Sequence, residues 1–112
     1  MRGYPAWITP EDVGFIELLE ERGYTFQVGD APEAATVITG ELRGASHGIE
    51  YVDTLTVSEF ISQAWRYRRE HDPKHGDAVT RHAPWTLKAQ PGAVADVLRE
   101  VLGWPTVGPV TP

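Results

Sequence analysis

The spacing of apolar residues changes twice along this chain, and these changes restrict its possible folds more than any other feature. Residues 9–23 and 91–103 place apolar side chains three and four residues apart, as amphipathic helices do. Residues 24–56 alternate polar and apolar side chains, which is the pattern of half-buried strands. Helices at both ends and strands in the middle predict an α+β domain in which helices cover a sheet.

The first helix has clear sequence signals at both ends. Thr9 is a suitable N-cap, Pro10 suits the first helical position, and two acidic residues follow at the positive end of the helix dipole. Phe15 and Leu19 belong to its apolar side. Gly23 is expected to end the helix in a left-handed conformation.

Three strands are predicted, over residues 24–28, 36–42 and 49–56. Gly40 marks a possible bulge in the second of them. Because sequential strands usually pair, the simplest arrangement is a three-stranded antiparallel meander. Residues 85–88 can add a short fourth strand at the edge of this sheet.

A second helix is predicted over residues 57–70, where the apolar spacing is the most regular in the chain. Its start has the pattern of a capping box, with Thr56 followed three residues later by Glu59. The basic residues near its end suit the negative pole of the helix dipole. Its apolar stripe consists of Val57, Phe60, Ile61, Ala64 and Trp65.

A third helix is predicted to begin at Pro91 and to end at Gly103, and we expect both later helices to pack on the sheet. The expected core comprises Phe15, Leu19, Phe60, Ile61, Trp65, Val97, Leu98 and Val101. The chain length suits one domain. We therefore predict a single α+β domain over residues 1–103, followed by an extended proline-rich tail over residues 104–112.

The composition excludes several classes of site. The absence of cysteine removes disulfides, thiolate zinc sites and thiol nucleophiles. The formal net charge of −6 is unevenly spread: residues 1–65 contain three basic and eleven acidic residues, and residues 66–112 contain seven basic and five acidic ones. The overall acidity disfavours general nucleic-acid binding, and the asymmetry favours a two-faced surface or self-association.

The sequence indicates a cytoplasmic protein. The N-terminus lacks the apolar run of a signal peptide, and no stretch approaches the ~20 apolar residues of a membrane span, so no membrane partner is expected. Eight arginines against two lysines, with no asparagine, are typical of a GC-rich bacterial or phage source.

Aromatic residues near the two ends of the chain and in residues 66–88 are candidates for partner binding, because aromatic side chains are enriched at protein interfaces. The candidates are Tyr4, Trp7, Tyr67, Trp85 and Trp104. The alternative is local packing, in which Tyr4 and Trp7 close the edge of the core and the tail frays.

A basic patch is predicted at and beyond the end of the second helix. Its members are Arg66, Arg68, Arg69, Lys74 and Arg81. Arginines interleaved with aromatic residues suit single-stranded nucleic acid, and arginine clusters also hold phosphates or acidic partners. The alternative is a solvated helix face that compensates the helix dipole.

Histidines in residues 71–85 raise the hypothesis of a metal site. His71, His75 and His82 are possible ligands for zinc or another divalent metal. Pro73 would break a helix between His71 and His75, so their spacing does not make an H-E-x-x-H site. The alternative is a polar surface loop, and we predict no metal or other cofactor.

No catalytic constellation stands out in the sequence. We therefore expect a non-enzymatic protein-interaction module: a small subunit, or an accessory or inhibitor protein. It would bind a macromolecular partner, or another copy of itself, through the terminal aromatic segments and residues 66–88. Two alternatives stay open, namely a nucleic-acid-associated protein that uses the basic patch and a metal-dependent hydrolase that uses the histidine-rich loop.

Overall fold

A computed structural model describes residues 4–29, 37–71 and 85–110, and within these ranges the chain forms one antiparallel sheet of five strands with two helices. The elements in chain order are α1 (Pro10–Glu21), β1 (Thr25–Val28), β2 (Ile38–Ser46), β3 (Ile49–Val57), β4 (Gln63–Arg68), a 3₁₀ turn (Arg69–His71), β5 (Trp85–Lys88) and α2 (Val94–Leu102). The strand order is β1-β2-β3-β4-β5, so every strand pairs with its neighbour in sequence. The predicted α+β class is confirmed.

The ends of α1 follow the signals in the sequence. The Thr9 side chain accepts a hydrogen bond from the backbone N–H of Asp12 at 3.1 Å, and the Asp12 carboxylate accepts one from the backbone N–H of Thr9 at 3.1 Å. Gly23 has a φ of +104°, which a residue with a side chain rarely adopts. The predicted helix start and stop are therefore confirmed.

The core lies between the two helices and one face of the sheet, which we call the covered face. Its fully buried members include Ile16 and Leu19 of α1, Ile38 and Leu55 of the sheet, and Val97, Leu98 and Val101 of α2. Phe15 packs against this cluster while staying half-buried. Leu19 and the three α2 residues were expected in the core, and they are there.

The predicted helix over residues 57–70 is wrong. Val57 ends β3, residues 58–61 form a turn that we call the β3–β4 turn, and Gln63–Arg68 is β4. The cause is long-range pairing, in which β4 runs antiparallel to β3 along its length. The sheet therefore has five strands instead of three or four, and the described chain has one helix fewer than predicted.

This change of element moves three predicted core residues. Phe60 and Ile61 are 83% and 49% exposed, because the turn projects them away from the sheet. Trp65 is half-buried and lies on the face of the sheet opposite the helices, since side chains alternate along a strand. The apolar residues that resembled one helical stripe therefore lie in a turn and on both faces of the sheet.

Residues 104–108 continue from α2 along the sheet. Trp104 is only 8% exposed. The backbones of Ala45 and Gly108 exchange two hydrogen bonds of 2.9 Å, on the part of β2 that β1 leaves unpaired. A Cβ at Gly44 would lie 2.3 Å from a methyl carbon of Val107, so this close approach requires glycine. Gly40 pairs in regular register with β1 and β3, without the bulge considered from the sequence.

Candidate partner-binding surface

The face of the sheet opposite the helices, which we call the open face, collects the other half of the strand side chains. Both helices and Trp104 pack on the covered face, and none of the described helices lies on the open one. Residues of the open face are Thr25, Gln27, Thr39, Glu41, Arg43, Ala45, Glu50, Val52, Thr54, Thr56, Gln63, Trp65, Tyr67 and Lys88.

The strand register arranges the open face in rows that cross the sheet. The row nearest the β3–β4 turn is uncharged and consists of Gln27, Thr39, Thr56 and Gln63. The next row consists of Thr25, Glu41, Thr54, Trp65 and Lys88. The third row contains Arg43, Val52 and Tyr67. Hydroxyl and amide groups therefore border an aromatic centre.

That aromatic centre consists of Trp65 and Tyr67 on β4, with Val52 beside Tyr67 on β3. The two rings start from Cα atoms about 7 Å apart, because residues two positions apart along a strand are separated by twice its rise. Both aromatic side chains are half-buried, and Val52 is 1% exposed. The solvent face of an antiparallel sheet is usually polar, so this cluster is the feature of the face that calls for a function.

The exposed members of the basic patch lie at the end of β4 and in the turn after it. Arg68 forms an ion pair with Glu70 at 3.0 Å, and Arg69 forms one with Glu50 at 2.8 Å. Together with Ile49 these residues line a shallow hollow. Because each positive charge has a carboxylate partner, the hollow has little net charge to attract phosphate.

Arg66 is not part of an exposed patch, because it is only 5% exposed and lies on the covered face. Its guanidinium donates two hydrogen bonds to the carboxylate of Asp53, at 2.6 and 2.9 Å, and a third to the backbone oxygen of Pro105 at 2.7 Å. The ring of Trp104 lies 5.5 Å from its central carbon, and the hydroxyl of Tyr24 donates to Asp53. Arg66, which was expected in the exposed basic patch, and Trp104, which was expected to bind a partner, thus stabilise the core.

The ionisation of this network suits a structural role. Burial, reinforced by the Asp53 charge and hydrogen bond, raises the pKa of Tyr24 well above its usual value of 10.0. Burial alone would lower the pKa of Arg66, but the hydrogen bonds and charge of Asp53 outweigh it and raise the pKa. Tyr24 therefore stays a neutral donor and Arg66 stays charged, and neither is suited to transfer protons near neutral pH.

The remaining candidates divide by position. Tyr4 and Trp7 are half-buried and pack against the core cluster, which agrees with the local-packing alternative. Trp85 begins β5, where its backbone pairs with Tyr67, and His71 ends the 3₁₀ turn. Lys74, His75, Arg81 and His82 lie outside the described residues. Among the described residues, no group of three potential metal ligands comes together, and the metal hypothesis stays a prediction.

Sequence reasoning missed the β3–β4 turn as a surface feature. The Ser58 hydroxyl accepts a hydrogen bond from the backbone N–H of Ile61 at 3.3 Å and donates one to the Ile61 carbonyl oxygen. Ser62 is fully buried and exchanges backbone hydrogen bonds of 2.7 and 3.1 Å with Gly92. Two serines that bracket an aromatic residue are the available sequence signal, since serine side chains favour turns over helix interiors.

Neither of the helices in the described part of the chain is long and apolar enough to cross a membrane. Comparisons of the chain with protein-family models, with curated proteins and with solved structures gave no match. Inference about function therefore starts from the surfaces described above.

Proposed function

We propose that this chain is a non-enzymatic protein-interaction module, a small subunit or accessory protein that binds another protein through the open face of its sheet. The observation that carries the proposal is the pair of half-buried aromatic side chains, Trp65 and Tyr67, beside the buried Val52 on a face that the described helices leave uncovered. Protein interfaces are enriched in aromatic residues near their centre and are polar at their rim, and the open face shares these two features.

The open face has a smaller area than a standard protein–protein interface. Five strands that each occupy about 4.8 Å are about 24 Å wide, and three rows of side chains occupy about 20 Å along the strands. The resulting area of roughly 480 Å² is less than two thirds of the area that each partner contributes to a standard complex. A stable complex must therefore include surface next to the open face, and the β3–β4 turn adjoins its uncharged row.

The buried charges support a non-enzymatic role. Arg66 and Asp53 are both buried and satisfy each other, and Tyr24 completes their hydrogen bonds. Their arrangement fixes residues 104–105 to the sheet and leaves these groups engaged within the fold. These buried charged and polar groups of the described core therefore have a role in stabilising the fold.

The test begins with affinity capture from the native host at moderate salt and identification of the captured protein by mass spectrometry. That protein is then purified and titrated calorimetrically with the wild type, with Trp65→Thr and with the control Leu18→Ser. Leu18 is 48% exposed on α1, on the other side of the molecule. We expect Trp65→Thr to weaken binding about tenfold or more and the control to change it less than twofold. Equal affinities for the wild type and Trp65→Thr would contradict the proposal.

Self-association is tested separately by light scattering over a concentration series. A monomer at every concentration excludes a second copy as the partner. A dimer that Trp65→Thr dissociates would instead make the open face a contact between copies. This measurement precedes the capture experiment because a self-associating chain would complicate the titrations.

A second candidate function is binding of single-stranded nucleic acid. Trp65 and Tyr67 follow one another on an open sheet face, and such aromatic residues stack on successive bases in nucleic-acid-binding sheets. However, Arg43 on this face lies 3.1 Å from Glu41, and the net charge is −6. Binding to a single-stranded or duplex oligonucleotide should be strongest at low salt, so its absence there would eliminate this candidate.

A further inference from the structure

The β3–β4 turn exposes two adjacent large apolar side chains. Phe60 is 83% exposed, the highest value among the large apolar side chains in the described part of the chain, and Ile61 is 49% exposed. Scattered single apolar residues on a surface are ordinary. Two adjacent exposed apolar residues in one turn, one of them a phenylalanine with most of its surface in water, are an unusual concentration of apolar surface.

This turn is stabilised by hydrogen bonds between its own residues. The Ser58 hydroxyl binds both the N–H and the carbonyl oxygen of Ile61, and the Ser62 hydroxyl lies 3.5 Å from the Ser58 carbonyl oxygen. The buried base of the turn is fixed by the two backbone hydrogen bonds between Ser62 and Gly92. A side chain presented by a fixed turn loses less conformational freedom on binding than one on a free loop.

The charges next to Phe60 in the sequence restrict what can bind it. From Thr54 to Ala64 the sequence contains one charged residue, the exposed Glu59, and no basic residue. An anionic membrane or a nucleic acid would be repelled by this carboxylate, and the net charge of −6 adds to the repulsion. A protein pocket with apolar walls and a lysine or arginine at its rim matches both the ring and the carboxylate.

The turn is also continuous with the open face. Thr56 and Gln63, the two residues of the uncharged row that belong to β3 and β4, face each other directly below it. A partner that covers this row would reach Phe60 without leaving the surface. The turn therefore supplies part of the area that the open face lacks.

We propose that Phe60 is the anchor residue of the interaction, inserted into an apolar pocket of the partner protein whose rim carries a lysine or arginine that pairs with Glu59. This inference rests on the proposed function and specifies the partner's chemistry. Ser58 acts as a positioning residue, because it fixes the turn without itself entering the pocket.

The experiment uses the full chain and the purified protein obtained in the capture experiment. Calorimetric titrations compare the wild type, Phe60→Ser, Glu59→Gln and the control Leu18→Ser. We expect Phe60→Ser to weaken binding about 30-fold or more, Glu59→Gln to weaken it a few-fold and to reduce its dependence on salt, and Leu18→Ser to change it less than twofold. Urea unfolding verifies that Phe60→Ser keeps the wild-type midpoint, as a highly exposed position should.

The outcomes distinguish the anchor role of Phe60 from the proposed function of the open face. Undiminished binding by Phe60→Ser, together with weak binding by Trp65→Thr, overturns the anchor and leaves the proposed function standing. Undiminished binding by both variants overturns both. Sedimentation with vesicles of phosphatidylcholine or phosphatidylserine provides the other test, because vesicle binding that Phe60→Ser abolishes would assign the turn to lipid and refute the protein pocket.

Discussion

Replacement of Arg66 by methionine removes one partner of a buried ion pair while keeping a side chain of similar length. Asp53 is 1% exposed and, among the described residues, would keep only the Tyr24 hydroxyl as a side-chain donor. Removing one member of a buried pair typically costs about 3–5 kcal/mol, because the remaining charge stays buried and uncompensated. The total stability of a domain of this size is about 5–15 kcal/mol, so Arg66→Met should remove a large part of it.

The effect is measured by urea unfolding at neutral pH, followed by tryptophan fluorescence and circular dichroism. With a denaturant slope of about 2 kcal/mol per molar urea, the expected loss moves the midpoint by about 1.5–2.5 M. The slope itself should not change, because the wild type and the variant expose the same amount of surface on unfolding.

The double variant Asp53→Leu with Arg66→Met separates the ion pair from simple packing. It buries no unpaired charge, but the Tyr24 hydroxyl and the Pro105 backbone oxygen lose the partners they have in the wild type, at a cost of about 1–3 kcal/mol for a buried group. The double variant should therefore be more stable than Arg66→Met alone. A loss below about 1 kcal/mol for Arg66→Met, or a double variant as unstable as the sum of the two single ones, would refute this description of the network.

Three further predictions concern other parts of the molecule. The raised pKa of Tyr24 means that the folded state holds this proton more tightly than the unfolded state does, so the contribution of Tyr24 to the free energy of unfolding is complete below pH 10.0 and is lost as the pH rises further. The urea midpoint should therefore fall more steeply above pH 10 for the wild type than for Tyr24→Phe. Parallel curves for the two proteins would contradict this prediction. Gly44→Ala should destabilise the fold by about 1–3 kcal/mol in thermal unfolding because its Cβ meets Val107, and Val107→Ala in the same chain should restore part of the loss. Ser58→Ala should weaken partner binding several-fold in calorimetry although Phe60 is present, and unchanged affinity would show that the turn needs no fixing.

The two helices could be predicted because their signals are local, although α2 begins at Val94 and not at the predicted Pro91, because Gly92 pairs with Ser62. Thr9 caps α1 through contacts within four residues, and the stripe that includes Val97 and Val101 faces one core. The strands β1 to β3 follow from alternation over short segments, and the predicted edge strand at 85–88 is present. The signals that predict each of these elements lie in residues that are close together in the sequence.

Residues 57–68 could not be assigned in this way, because two periods coincide there. Phe60, Ala64 and their neighbours satisfy the helical spacing, while Trp65 and Tyr67 satisfy a two-residue period equally well. The choice depends on β3, whose residues 51–56 pair with residues 63–68 and cannot be recognised as their partner from local sequence. Tertiary pairing therefore decided the structure against a regular helical pattern.

The candidate surface was misjudged for the same reason. A helix would have buried Phe60 and left Arg66 in water, whereas the strand and turn do the opposite. One signal was available: Asp53 occupies the same strand parity as the buried Leu55, and a carboxylate at a core position requires a partner. Arg66 is that partner, and it faces Asp53 directly across the β3–β4 pair.

The most direct measurement is amide hydrogen exchange of the full chain, alone and saturated with its purified partner. If the open face and the β3–β4 turn form the interface, residues 58–68 should exchange more slowly in the complex, and α1 should exchange as it does in the free chain. Protection confined to α1 and α2, with no change across residues 58–68, would contradict this assignment of the interface.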